Sequence, residues 1–140
     1  MEKSALAAAA VPAFNGLILS SSKAQPAVGA NDKVRVGVIG CGGMGRGNLS
    51  TFLANPEVDC PVICDVDDAQ IAKGIDIVEK QRKQTPAGEK DFRRVLDRKD
   101  LDAVIISTPD HWHAIPTIMA CQAGKDIYVE KPLATSIAEG

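Results

Sequence analysis

The residues whose types and spacing could do chemistry fall in four short stretches: Gly40-Cys41-Gly42-Gly43-Met44-Gly45, the lone Asp65, Ser107 to His113, and Glu130-Lys131-Pro132. In the first, the spacing of Gly40, Gly42 and Gly45 permits a tight turn, a close backbone approach and close packing of a following helix. Those are the properties needed where main-chain amides cradle a pyrophosphate. Amides at the helix start would bind phosphate, helped by the helix dipole. Asp65 lies 20 residues past Gly45, the spacing of the acid that accepts from an adenosine ribose 2′-hydroxyl. Asp67 and Asp68 follow, with no lysine or arginine beside them in the sequence. Three carboxylates there are expected to repel a 2′-phosphate and to favour NAD over NADP.

The elements that must position these residues alternate between short apolar runs and amphipathic stretches, the pattern of a parallel α/β sheet. Val34 to Ile39 is nearly all apolar and predicts a strand buried on both faces, followed by a helix from Met44 to Ala54 that Asn55-Pro56 ends. Val58 to Cys64 predicts the second strand, with a local irregularity at Pro61. Asp67 and Gln70 fit a capping box for the next helix, whose apolar face carries Ile71, Ile75 and Val78. Polar Gln81 to Glu89, with Pro86 and Gly88, reads as a loop. Phe92, Val95 and Leu96 suggest a short helix, and Leu101 to Ile106 a strand. A helix from His113 to Ala123 is closed by Gly124, and Ile127 to Val129 is a last short strand. The expected fold is a Rossmann-type, doubly wound parallel sheet over residues 32–140. In such a sheet ligands bind outside the carboxyl ends of the strands, so the Ser107 and Glu130 segments should face the same crevice as the glycine turn.

Hydrophobic content of 45% and a net charge of −2 give nothing to attract phosphate backbones or anionic lipid, so neither nucleic acid nor membrane is expected as a partner of the mature protein. Cys41, Cys60, Cys64 and Cys121 lack the spacing of a metal or redox motif and read as small side chains, with Cys60 and Cys64 in an apolar run; no metal is expected. Residues 1 to 31 differ in kind. Lys3 precedes the apolar run Ala5 to Leu19, which Pro12, Asn15 and Gly16 interrupt. It is too short for a membrane span of about 20 residues. It reads as a secretory signal with Ser22, Lys23 and Ala24 as a small-x-small cleavage site, although one lysine is a thin basic region; the alternative reading is a disordered alanine- and serine-rich leader. An exported, periplasmic protein is the expectation, and a cytoplasmic one if the leader does not act. At the other end Ser136 and Glu139 form a capping box that launches a helix at Ile137. Gly140 then ends the chain within one turn, whereas an isolated helix needs roughly 12 residues, so a longer parent is expected.

Taken together, the glycine turn, Cys64-Asp65-Val66, Ser107-Thr108-Pro109-Asp110-His111-Trp112-His113 and Val129-Glu130-Lys131-Pro132-Leu133 resemble the glucose-fructose oxidoreductase and inositol dehydrogenase group, Gfo/Idh/MocA, over nearly all of residues 33–140. The resemblance implies reversible hydride transfer between NAD and a secondary alcohol of a sugar, cyclitol or related polyol. It implies Lys131 beside the nicotinamide and substrate as the catalytic residue, Glu130 toward the nicotinamide ribose, Pro132 shaping the turn, and His113 closing the Thr108-Pro109 motif. The cofactor-binding set is thus Gly40, Cys41, Gly42, Gly43, Met44, Gly45, Asp65, Thr108, Pro109, His113, Glu130 and Lys131. Asp110 stands where many members have asparagine. A substrate domain of α/β type with an open sheet, absent from this chain, is implied to follow, in a homo-oligomeric parent. Lys131 suits polarisation of an alcohol oxygen or relay of its proton, since a desolvated amine near developing negative charge stabilises it. Similar exported proteins imply a rival, an NAD-dependent glycoside hydrolase working by transient oxidation and elimination. A non-catalytic dinucleotide-binding module is the third reading.

Overall fold

The computed structural model describes residues 33–140; the expectations for residues 1 to 31 lie outside the described residues. Strands β1 (Val34–Ile39), β2 (Val58–Cys64), β3 (Ala87–Glu89), β4 (Ala103–Ile106) and β5 (Asp126–Val129) alternate with helices α1 (Gly43–Leu53), α2 (Asp68–Arg82), α3 (Phe92–Leu96) and α4 (Ala114–Gln122). All strand pairs are parallel, in the order β3-β2-β1-β4-β5. The chain runs outward from β1 to β3 and then returns to the other side of β1. Strand order therefore reverses between β1 and β4, and the carboxyl ends of those strands part into a crevice.

Alternation along the strands feeds two apolar layers. Val36 and Val38 pack with Leu49, Leu53 and Val78 of α1 and α2, while Ile39, Val62, Val104 and Ile106 pack with Val95, Leu96 and Ala120 of α3 and α4. Both faces of the sheet are covered, as a nearly continuous apolar β1 requires. Cys60 and Cys64 are buried in these layers. At Pro61 the pairing steps from Arg35 opposite Asp59 to Gly37 opposite Val62, so β2 carries one extra residue where the proline lacks a donor.

Three local expectations need correction. Ala87–Glu89, read as loop, is the edge strand β3 paired with β2; a short edge tolerates the neighbouring Pro86 and the polar residues that argued against a strand. Asp67 does cap α2, accepting from the Ala69 amide at 2.8 Å, but the reciprocal half of the box is absent. The Asp67 amide is already taken by Asp65 Oδ1 at 3.0 Å, and Gln70 Oε1 accepts from Arg46 instead. Near the C-terminus Glu139 accepts from the amide and hydroxyl of Thr135, each at 2.7 Å, and residues 137–139 form a turn rather than a helix. Remaining elements differ at their ends only, β4 being shorter and α4 being preceded by a 3-10 turn at Asp110–Trp112.

Arg82, in the last turn of α2, ties the layers on one side. Its guanidinium donates to the carbonyls of Leu53 at 2.7 Å, Asn55 at 2.6 Å and Val58 at 3.0 Å. It thereby ties together the carbonyls where α1 ends and β2 begins, the Asn55 carbonyl accepting from the Val58 amide as well.

Candidate cofactor and active site

The glycine turn is built by close approach. Gly40 has φ +87°, and a Cβ there would lie 2.7 Å from the Ser107 carbonyl and the Thr108 amide. Any other residue would push the β1 end away from the β4 end. A Cβ at Gly45 would run into the Gly40 carbonyl oxygen, so α1 packs directly on the turn. At Gly42 and Gly43, by contrast, a Cβ would meet nothing within 4 Å. No side chain caps α1 and no carboxylate sits in its first turn. The free amides of a helix start thus face open space, which fits a pyrophosphate.

Cys41 takes part only through its backbone. Its side chain is buried, close enough to α2 that a Cβ at Gly74 would be 2.5 Å from the sulfur, and burial pushes the thiol up to about 11. Its N–H donates to Asp65 Oδ2 at 2.7 Å. Asp65, held also by the Asp67 amide, uses each carboxylate oxygen once and keeps a lone pair on each for a ribose hydroxyl. Arg46 braces the turn, donating to the Cys41 carbonyl at 2.9 Å and to Gln70 at 2.5 Å.

A crevice of about 560 Å³ opens over the ends of β1, β2 and β4, walled by Gly40, Asp65, Val66, Phe92, Thr108 and Pro109. Lys90 and Arg93 join the same wall, and Lys90 pairs with Asp68 at 2.8 Å. The expectation that no basic group stands near the carboxylates is therefore corrected: β3, missed in the sequence, delivers Lys90 to that side. The argument against a 2′-phosphate rests on Asp65 itself rather than on a cluster of unopposed charge.

On the opposite side, Thr108 and Pro109 line the crevice as expected, and half-exposed Trp112 lies beside them. His113 does not face the crevice. It is 1% exposed, with Nδ1 2.6 Å from the Pro132 carbonyl and Nε2 2.8 Å from the Thr108 carbonyl, so it braces the two loops against each other. Lys131 is exposed and Glu130 half-buried. Asn48 of α1, which the motifs did not single out, donates through Nδ2 to Glu130 Oε1 at 2.8 Å and to Ser107 Oγ at 3.1 Å. That amide foremost, with the Lys131 amide and charge, holds the Glu130 carboxyl below its usual range. The signal for Asn48 was its place one turn beyond Gly45, on the helix face that meets the strand ends. Among the described residues no cluster of three potential ligands could hold a metal, and no helix is long and apolar enough to cross a membrane.

An open parallel sheet with its order reversing between β1 and β4, a glycine turn feeding a helix there, and an acid closing β2 define a dinucleotide-binding Rossmann domain. Residues 34–140 match the family model of the Gfo/Idh/MocA oxidoreductases, described as the oxidoreductase family, NAD-binding Rossmann fold. The chain belongs to that family and carries its NAD-binding domain. It is 37% identical to a glycosyl hydrolase family 109 protein of Shewanella pealeana over 88% of this chain and 30% of that one. It is also 37% identical to an alpha-N-acetylgalactosaminidase of Shewanella oneidensis over 76% of this chain and 24% of that one. Among solved structures, myo-inositol dehydrogenase from Lactobacillus casei in complex with NAD(H) and myo-inositol superposes with a TM-score of 0.69 at 27% identity, over 76% of this chain and 31% of that one. The chain thus spans 24–31% of the length of these relatives.

Proposed function

We propose that the protein to which this domain belongs is an NAD-dependent oxidoreductase acting on a secondary alcohol of a sugar, cyclitol or related polyol. The observation that carries the reading is convergence: the free amides after Gly40, the Asp65 carboxylate and the Glu130-Lys131 loop all stand at the carboxyl ends of one parallel sheet. Gly42, Gly43 and Met44 would hold the pyrophosphate, Asp65 the adenosine ribose, and Thr108, Pro109 and Glu130 the opposite half. NAD, when bound, supplies the hydride acceptor. Lys131 donates a hydrogen bond to the alcohol oxygen and stabilises negative charge that develops there. The test is NADH formation by the full-length protein across a polyol panel, beside Lys131→Ala. The variant should lose at least about a hundredfold in kcat/KM while still binding NADH. Unchanged turnover in the variant would remove Lys131 from the chemistry.

A second reading is an NAD-dependent glycosidase, favoured by one observation. Identity is 37% to the two Shewanella relatives, one of them named an alpha-N-acetylgalactosaminidase, against 27% to the inositol dehydrogenase. There the alcohol would be oxidised transiently, the glycosidic substituent eliminated, water added across the double bond that elimination leaves, and the carbonyl reduced again, with no net change in NAD. Cleavage of an aryl α-N-acetylgalactosaminide without accumulation of NADH selects this reading, and NADH formed from free polyols selects the first. In either case residues 1 to 31 are proposed to direct export, with cleavage near Ala24. An intact Met1 on a cytoplasmic protein in the native host would refute that placement.

A further inference from the structure

We infer that Asn48 is the positioning residue for the nicotinamide half of the site, acting by holding Glu130. This rests on the reading of the crevice as a dinucleotide site and adds to it a residue on the helix that carries the phosphate-binding turn. Strand order supplies the first step. Asp65 assigns the adenosine half to the β2 and β3 side of the turn, so a dinucleotide crossing the reversal point must lay its other half over the ends of β4 and β5. Ser107 follows β4 and Glu130 follows β5. Asn48 is the side chain of α1 that reaches both: its two N–H bonds go to Ser107 Oγ at 3.1 Å and Glu130 Oε1 at 2.8 Å. One side-chain amide has two hydrogens, and here each has an acceptor.

The arrangement has a direction. Glu130 lies at the end of β5, where the backbone fixes only its Cα, and a glutamate has three rotatable bonds. Donation from Asn48 to Oε1 is the largest of the contacts that orient this carboxylate and favour its ionised form, ahead of the Lys131 amide and charge and the Tyr128 hydroxyl, and Oε2 keeps acceptor capacity for a hydroxyl of the incoming nucleotide. Glycine-turn binding and β5 are thereby linked: the helix that receives the pyrophosphate also sets the acceptor for the distal ribose. Ordering that acceptor in advance lowers the entropy lost when the ligand binds.

The test compares two ligands that share the adenosine and phosphate contacts but differ in the distal half, ADP and NADH, titrated into wild type, Asn48→Ala, Glu130→Gln and the double variant. Asn48→Ala is expected to weaken NADH about tenfold, the worth of one hydrogen bond to a charged group, with ADP affinity changed less than about twofold. The double variant should bind NADH about as Glu130→Gln alone does, because one substitution works through the other. Asn48→Asp keeps the side-chain shape but replaces the donor with a second carboxylate against Glu130. It should lose NADH affinity at least as severely, again sparing ADP. Retained ADP binding also reports that each variant is folded. If ADP and NADH weaken together, if the two single losses add, or if NADH affinity is unchanged, Asn48 is a packing residue and the inference is overturned. Should wild type bind ADP but not NADH, the dinucleotide reading falls and the inference with it.

Discussion

The N–H of Cys41 donates to the Asp65 carboxylate across 2.7 Å, so the glycine turn and the acid that ends β2 are one unit. Replacing Asp65 with serine removes both this brace and the acceptor proposed for the adenosine ribose. Affinity for NAD should fall roughly tenfold to a hundredfold, the loss of one or two hydrogen bonds to a charged group. The preference over NADP should shrink further, because Lys90 and Arg93 already stand on the crevice wall. Calorimetric titration with both cofactors decides this. An unchanged ratio would show that Asp65 does not set the preference.

Two glycines of the same turn should respond in opposite ways. A Cβ at Gly42 meets nothing within 4 Å, whereas one at Gly45 collides with the Gly40 carbonyl oxygen. Gly42→Ala should keep its melting temperature and lose dinucleotide affinity, since the methyl would occupy the space proposed for the pyrophosphate. Gly45→Ala should lose stability as well, by about 1–3 kcal/mol for overpacking. Thermal unfolding beside NADH titration separates the cases. Wild-type affinity in Gly42→Ala would mean that the phosphates lie elsewhere.

Arg82 supplies a stability test away from the crevice. Arg82→Met keeps the aliphatic stem and removes donors from the carbonyls of Leu53, Asn55 and Val58. The cost should be about 2 kcal/mol, moderated because part of that backbone can turn to water. A denaturant midpoint within error of wild type would show that the three bonds contribute nothing net.

The thiols divide by burial. Cys41, Cys60 and Cys64 are buried and Cys121 is exposed, so a thiol reagent should modify one group fast in the native protein and four after unfolding. Burial pushes Cys41 up to about 11 and Cys60 and Cys64 up to about 12, from 9.0. Folding thus favours the neutral thiols. Their stabilisation is fully present below pH 9 and is lost as pH rises from 9 toward 11 and 12, where the unfolded chain ionises first. The denaturant midpoint should fall over that range, and fall less steeply in a Cys60→Ala, Cys64→Ala variant. An equal slope in both proteins would remove the thiols as the cause.

How much of this was legible in the residues depended on range. Val34 to Ile39, Gly40, Gly45 and Asp65 announce themselves because their constraints are local: a strand buried on both faces, a turn that excludes Cβ, and an acid at fixed spacing. β3 was missed because Pro86, Gly88 and their polar neighbours describe a loop unless the β2 edge is known to be free. Missing β3 also hid Lys90 on the crevice wall. Asn48 and Gln70 show a different limit. Gln70 fits a capping box by spacing, yet Asp65 lies nearer the Asp67 amide and leaves Gln70 to Arg46. Asn48 gains its role only when β4 and β5 arrive beside α1. For His113 the motif implied a cofactor contact, whereas tertiary packing buries the ring between the Thr108 and Pro132 carbonyls.

That interior position gives the last prediction. The two ring nitrogens of His113 lie against the Thr108 and Pro132 carbonyls, on the loops that follow β4 and β5. Lys131 immediately precedes Pro132, so the ring fixes the backbone from which Lys131 projects without approaching a ligand itself. His113→Leu keeps an apolar side chain in the space but takes the ring N–H away from a half-buried carbonyl and removes the ring contact to the other. The expected cost is about 1–3 kcal/mol, the penalty of one unsatisfied acceptor. It should be concentrated locally: amide exchange at residues 130–134 should accelerate more than at β1 or α2, whose packing the ring does not touch. In the full-length protein kcat should fall while ADP affinity stays near wild type, because the adenosine side is untouched. Exchange that accelerates uniformly, or a loss of ADP affinity equal to the loss in kcat, would show that His113 supports the whole fold rather than the Lys131 loop.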